Sequence, residues 1–211
     1  MANLSTAAGP DRQLALEKYR TLAETYEHDT ERTEPYRRQA IDRLLVREGE
    51  TVIDVGCGTG VNFPLLESYA GRAGQIYGVE LSPEMLAAAR QRVEARRWKN
   101  VSLIEAAVEE AQIPRPADAA LFSFTHDILR SPAAVENIID HVRPGGRIVA
   151  TGAKGSPLSF YVRRLSRRYV TTLEGFRRPW SHLEDLLGEL EVETLRFGAI
   201  YVVFGRRPED A

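Results

Sequence analysis

The chain has 211 residues, 43% hydrophobic and 27% charged, a composition that excludes a disordered or fibrous chain and suffices for one α/β domain with its own core. Twenty-eight Lys and Arg stand against 30 Asp and Glu, so no basic excess points to nucleic acid, and the single cysteine, Cys57, excludes an internal disulfide. No uncharged apolar run reaches the roughly 18 residues of a spanning helix, and MANLSTAAGPDRQLALEK lacks a charged leader followed by an apolar core, so the expectation is a cytoplasmic protein folded as a single domain over 1–211.

In chain order, DRQLALEKYRTLAETYEH predicts a helix from residue 11 to about 28, with Asp11 as N-cap and Leu14, Tyr19, Leu22 and Tyr26 near the helical repeat. A second helix, EPYRRQAIDRLLV, opens at Pro35 and ends before Gly49. Strands are then expected at 51–55, 75–80, 101–105, 118–124 and 146–152, with helices near 62–70, 82–97 and 132–142. The helix at 82 is well marked by Ser82 as cap, Pro83 at the first helical position and Glu84 in the first turn. Strand and helix alternating this way predict a mainly parallel sheet with helices on both faces. The last segment, EVETLRFGAIYVVFGRR, reads as two strands broken at Phe197 and Gly198, a terminal antiparallel hairpin that brings the sheet to seven strands.

The stretch TVIDVGCGTGVNFPLL runs a strand into Gly56, Gly58 and Gly60 and then a helix. Such a turn puts backbone N–H groups and a helix start at the carboxyl edge of the sheet, where ligands bind in open α/β folds. The dinucleotide spacing G-x-G-x-x-G fails here, because Val61 stands where its third glycine would be. That counts against a nicotinamide-dependent oxidoreductase. Glu80 closes the second strand about 20 residues past the turn, where a carboxylate accepts from both hydroxyls of a ribose. The pair favours a nucleoside ligand that need not carry a pyrophosphate.

With GVELSPEMLAAAR and VRPGGRIV further on, VIDVGCGTG resembles the class I S-adenosylmethionine-dependent methyltransferase family. The resemblance covers about 35 to 207 and implies a Rossmann-like methyltransferase domain with S-adenosyl-L-methionine as cofactor. It implies that Asp54 orients the methionine amino group and that Gly56, Cys57, Gly58, Thr59, Gly60 and Asn62 pass beside the methionyl and ribosyl parts. Glu80 would hold the ribose diol, while Leu81 and Met85 flank the adenine. The sequence departs from many members at the end of the third strand, where Ala107 stands for an Asp. Adenine contacts then fall to the backbone near Ala107 and Val108 or to Glu109, with Phe124 closing the cofactor wall.

Methyl transfer from a sulfonium is an in-line displacement on an activated electrophile, so no metal is expected and the protein mainly positions the reactants and excludes water. The implied activity is N- or O-methylation of a small-molecule or lipid-like acceptor; the alternative is a protein that binds the cofactor without methyl transfer. His126, after the fourth strand, is a candidate base for a hydroxyl acceptor or else a structural histidine. Tyr26, with Tyr19, would present an aromatic face to the sulfonium or serve core packing. Residues 154 to 180 hold seven Lys or Arg against one Glu. A basic amphipathic helix at 158–170 would contact anionic membrane, receive an anionic substrate or remain a solvated face. Residues 1–48 are expected to cover the cofactor site and 153–182 to form an acceptor lid. GTGVNFP is also similar to the glycine turn of bacterial phospholipid N-methyltransferases. Oligomeric state is not legible.

Overall fold

Thr51, Val52, Ile53, Asp54 and Val55 are all buried, as expected of a central parallel strand covered by helices on both faces. The computed structural model describes residues 10–22, 31–155 and 166–209. Its strands are β1 (Thr51–Val55), β2 (Gln75–Glu80), β3 (Val101–Glu105), β4 (Ala117–Ser123), β5 (Val142–Ala153), β6 (Glu191–Leu195) and β7 (Ile200–Arg206). They form one seven-stranded sheet in the order β3-β2-β1-β4-β5-β7-β6. The first five pair in parallel and β7 runs antiparallel between β5 and β6. The order reverses between β1 and β4, the switch point at which open α/β sheets bind ligands.

Strand alternation sorts the core into two layers. Ile53, Val55, Val79, Ala120, Phe122 and Val203 join one cluster, while Val52, Ile76, Ala119, Leu121, Val149 and Val202 join the other. The second layer is closed by Ala40, Ile41 and Leu44 of α2 (Glu34–Leu44), Phe63 and Leu66 of α3 (Phe63–Ala70) and Ala89 of α4 (Pro83–Arg96). The first is closed by Val135, Ile138 and Ile139 of α6 (Pro132–His141) and Leu183 and Leu187 of α7 (Ser181–Leu187). Asp54 and Glu80 share the parity of Val52 and Ile76, so sequence alternation alone sends both carboxylates toward the α2–α3–α4 layer.

The start of α4 follows its sequence signals: Ser82 Oγ accepts from the Met85 N–H at 3.3 Å with Pro83 in the first turn. Asp11 Oδ1 accepts from the Leu14 N–H at 2.9 Å and starts α1 (Arg12–Leu22). Four elements differ from the reading above. β5 begins at Val142, four residues early, because a register shift between Ala117 and Ala119 lets VRPGG join the edge of β4. β4 ends at Ser123 because Phe124 turns into the left-handed region at φ 59°. Two short helices, α5 (His126–Leu129) and α7, carry too few turns to show a period. Tyr26 and most of the 158–170 stretch lie outside the described residues. Of that stretch, Arg167 and Arg168 are exposed while Tyr169 and Val170 are half-buried. No described helix is long and apolar enough to cross a membrane.

Candidate active site

Gly56, Gly58 and Gly60 all take positive φ, at 63°, 55° and 74°, a conformation that costs other residues roughly 1–2 kcal/mol. Their turn carries the chain from β1 over the sheet edge into α3 and faces a cavity of about 210 Å³. Gly56 and Gly58 line it, with Glu80, Leu81 and Met85 after β2, Ala107 and Val108 after β3, and Phe124 and His126 after β4. Nine of the residues singled out in the sequence therefore share one wall, though they come from four separate strand ends. Asp54, Cys57, Thr59, Gly60 and Asn62 stand behind that wall and are all buried. The Cys57 thiol, pressed near Gly78 and Phe63, has its pKa pushed well up by burial and then by Asp54 and Glu80. Arg92 Nε donates to the Thr59 carbonyl at 3.0 Å.

Glu80 is fixed from both sides, Oε2 accepting from the Gly58 N–H at 3.0 Å and Oε1 from the Ser82 N–H at 2.8 Å. A carboxylate has about four acceptor positions, so the turn orients Glu80 while leaving capacity toward the cavity. Its pKa is raised, chiefly by desolvation. Asp54 is wholly buried, and desolvation raises its pKa from 3.8 to about 7, against the Asn62 hydrogen bond and the Arg37 charge that lower it and Glu80 that raises it further. Asn62 Nδ2 donates to Asp54 at 3.1 and 3.3 Å, and Asn62 Oδ1 accepts from Arg37 Nη1 at 3.4 Å. Asn62 thus stands at the start of α3 without capping it, its amide committed to Asp54.

The opposite wall comes from the N-terminal segment and from residues 169 and 170. Pro10, Asp11, Arg12, Ala15, Leu16 and Tyr19 of the N-terminal segment meet Tyr169 and Val170 across the cavity. Tyr19 OH donates to the Tyr169 carbonyl at 3.0 Å, and Lys18 Nζ to the carbonyls of Arg167 and Val170 at 3.0 and 2.7 Å. Thr171 joins three elements: its Oγ1 accepts from the Asp11 N–H at 3.0 Å, and its own N–H and hydroxyl donate to Asp127 Oδ2 at 2.7 and 2.8 Å. Contacts 44 and 160 residues apart have no local sequence signal. Arg12 also pairs with Glu109 and Glu110, and Arg20 with Glu84, but these exposed pairs contribute little individually.

His126 is buried with its ring edge-to-face on Phe176, centroids 5.4 Å apart. Burial is the largest influence on its pKa and lowers it from 6.5, with Asp127 opposing. A neutral imidazole near neutral pH offers one lone pair as a proton acceptor.

Residues 52–146 match a family described as Methyltransferase domain. The chain is 34% identical over 113 residues to protein-L-isoaspartate O-methyltransferase of Methanothrix thermoacetophila, covering 51% of this chain and 50% of that one. It is 33% identical over 123 residues to aklanonic acid methyltransferase DauC of Streptomyces sp. strain C5, covering 56% and 54%. The chain thus spans about half the length of the curated relatives it matches. Among solved structures, a SAM dependent methyltransferase from Aquifex aeolicus aligns at TM-score 0.58 and 21% identity over 81% of this chain and 88% of that one, a likeness of fold. Residues 52–146, from β1 into β5 and across the glycine turn, thus match the methyltransferase domain family, and the fold around them is like that of a SAM dependent methyltransferase.

Proposed function

We propose that the protein transfers the methyl group of S-adenosylmethionine to a small-molecule or lipid-like acceptor, at nitrogen or oxygen. The observation that carries this reading is Glu80, oriented by two backbone N–H groups at a cavity mouth beside a positive-φ glycine turn. The donor set fits the cofactor: free acceptor positions on Glu80 for the ribose hydroxyls, the apolar Leu81, Met85 and Val108 for the adenine, and the buried Asp54 behind the turn for the methionyl amine. When bound, S-adenosylmethionine supplies the electrophilic methyl. The chain's own residues then orient it, and α1 with Tyr169 and Val170 excludes water from the reacting atoms.

Titration calorimetry with S-adenosylmethionine tests the reading. Glu80→Gln keeps the shape but removes a charge-assisted partner of the ribose, worth about 1.5–3 kcal/mol, and binding is expected to weaken roughly tenfold or more. Gly58→Arg fills the approach and abolishes binding. Absence of heat with the unaltered protein overturns the reading. Peripheral contact of 158–170 with anionic membrane belongs to the same proposal, supported by the exposed Arg167 and Arg168 at its end. Flotation with liposomes containing phosphatidylglycerol should recover more protein than with neutral liposomes; equal recovery removes this part.

A further inference from the structure

Toward the α2–α3–α4 layer Asp54 meets Asn62, whose Nδ2 spans both carboxylate oxygens at 3.1 and 3.3 Å. A side-chain amide donates from one end and accepts at the other, so Asn62 suits a carboxylate only when its nitrogen is turned that way. Arg37 decides the orientation. A guanidinium donates and never accepts, and Arg37 Nη1 donates to Asn62 Oδ1 at 3.4 Å, which leaves the amide nitrogen for Asp54. The guanidinium is itself held at two further points, Nε donating to Thr33 Oγ1 at 3.1 Å and Nη1 to the Val61 carbonyl at 3.4 Å.

Charge acts in the same direction as geometry. Asp54 is fully buried, and an ionised carboxylate in such a place needs an opposite charge nearby. Around it stand Arg37 from α2, Glu80 from β2 and Cys57 from the glycine turn, while β4 sets the apolar Leu121 beside it. Glu80 opposes ionisation of Asp54, and the Cys57 thiol, its pKa pushed well up, is uncharged near neutral pH. Arg37 is the cation of the group and favours the ionised form. It also borders a second cavity of about 260 Å³ with Glu34, Ile41 and Leu65, so a shorter side chain at this position opens no new void in the core.

Resting on the methyltransferase reading, we propose that Arg37 is a positioning residue for the cofactor, fixing the Asn62 amide and favouring the charged carboxylate so that Asp54 receives the methionyl amine. Arg37 acts from behind the glycine turn and does not line the cofactor cavity. The positive charge that helps a cation bind thus works through a carboxylate and an amide, not by touching the ligand.

Calorimetry with S-adenosylhomocysteine between about pH 5.5 and 8.5 tests this role. The parent should bind more weakly as pH falls and Asp54 takes up a proton. A nearby opposite charge is worth about one to three pH units to a carboxylate. Arg37→Met is expected to move the midpoint up by about one unit, weakening binding roughly tenfold at about pH 6 and less than about threefold at about pH 8.5. Arg37→Lys keeps the charge and should bring the midpoint back to within about half a unit of the parent. 5′-Methylthioadenosine, which lacks the amino-acid part, should bind the parent and Arg37→Met alike at every pH. The decarboxylated analogue of S-adenosylhomocysteine keeps the amine and should show the same displaced midpoint. If S-adenosylhomocysteine does not bind the parent at any pH, the methyltransferase reading fails and takes this proposal with it. If it binds while Arg37→Met keeps the parent's pH dependence, 5′-methylthioadenosine weakens equally, or the decarboxylated analogue does not respond to Arg37→Met, the role of Arg37 alone is overturned: the side chain is then structural or meets the methionyl carboxylate directly.

Discussion

Replacing Asp54 with Asn is expected to give a ligand-free protein that is more stable at about pH 8, yet binds S-adenosylmethionine on the order of a hundredfold more weakly. Asp54 is fully enclosed, and its pKa rises from 3.8 to about 7, which at about 1.4 kcal/mol per unit corresponds to roughly 4 kcal/mol. Its folded pKa lies above its unfolded one, so between these values the folded protein keeps a proton that the unfolded chain has released. Stability therefore falls as pH rises through this window and is lowest above about 7. Glu80, whose pKa is also raised, acts in the same direction. Arg37 offsets part of the cost and reaches the site through Asn62. The amide introduced by Asp54→Asn would still accept from Asn62 Nδ2 but has no charge to desolvate, so the variant's stability should depend less on pH between about 4 and 7.

The same substitution removes what the proposed ligand requires. A cationic amine and sulfonium stabilise the ionised carboxylate, so binding to the parent protein should release a proton below pH 7 and weaken by up to about tenfold per unit as pH falls further. Urea denaturation at about pH 5 and pH 8, with calorimetry over the same range, separates the two effects. If Asp54→Asn binds the cofactor as tightly as the parent at about pH 8, Asp54 does not serve the methionyl amine and its burial is purely structural.

Much of this site was legible because its signals are local. Ser82 and Pro83 mark the start of α4, and the three glycines and Glu80 lie within one strand, turn and strand. Alternation in β1 and β2 also fixes which layer Asp54 and Glu80 face. Asn62 shows where local reading stops: the motif sets it beside the cofactor at the start of a helix, but its amide is turned to a carboxylate eight residues earlier. Thr171 shows the limit more sharply, because it ties α1, α5 and the 166–172 segment through contacts that depend on the completed sheet bringing them together. A polar cluster at 123–130 was visible only as His126. What distinguishes it is the lack of partners around Ser123, Thr125 and Arg130, a property of three-dimensional packing that residue identity does not encode.

Gly56→Ala is expected to cost about 2–4 kcal/mol of stability and to impair the acceptor side more than cofactor binding. Two contributions add. Gly56 has φ 63°, where a Cβ introduces roughly 1–2 kcal/mol of strain. That Cβ would also lie 2.7 Å from Ile128 Cδ1 and 2.8 Å from Thr125 Cγ2. The end of Ile128 can swing away, but Thr125 is β-branched and stiff at χ1, so its displacement carries Thr125 Oγ1 and the adjoining His126 out of place. Gly49 isolates the first contribution, since it has φ 85° and nothing within 4 Å of a built Cβ; Gly49→Ala should cost only about 1 kcal/mol. Thr125→Ser removes the offending methyl, so the double variant Gly56→Ala with Thr125→Ser should recover part of the loss, a coupling of about 0.5–1.5 kcal/mol in a double-mutant cycle. Purely additive losses, or equal costs at Gly49 and Gly56, would show that backbone strain alone governs the turn. A measurable coupling instead joins the cofactor turn to the end of β4, so that the glycine preserving the cofactor's approach also holds Thr125 and His126 in register.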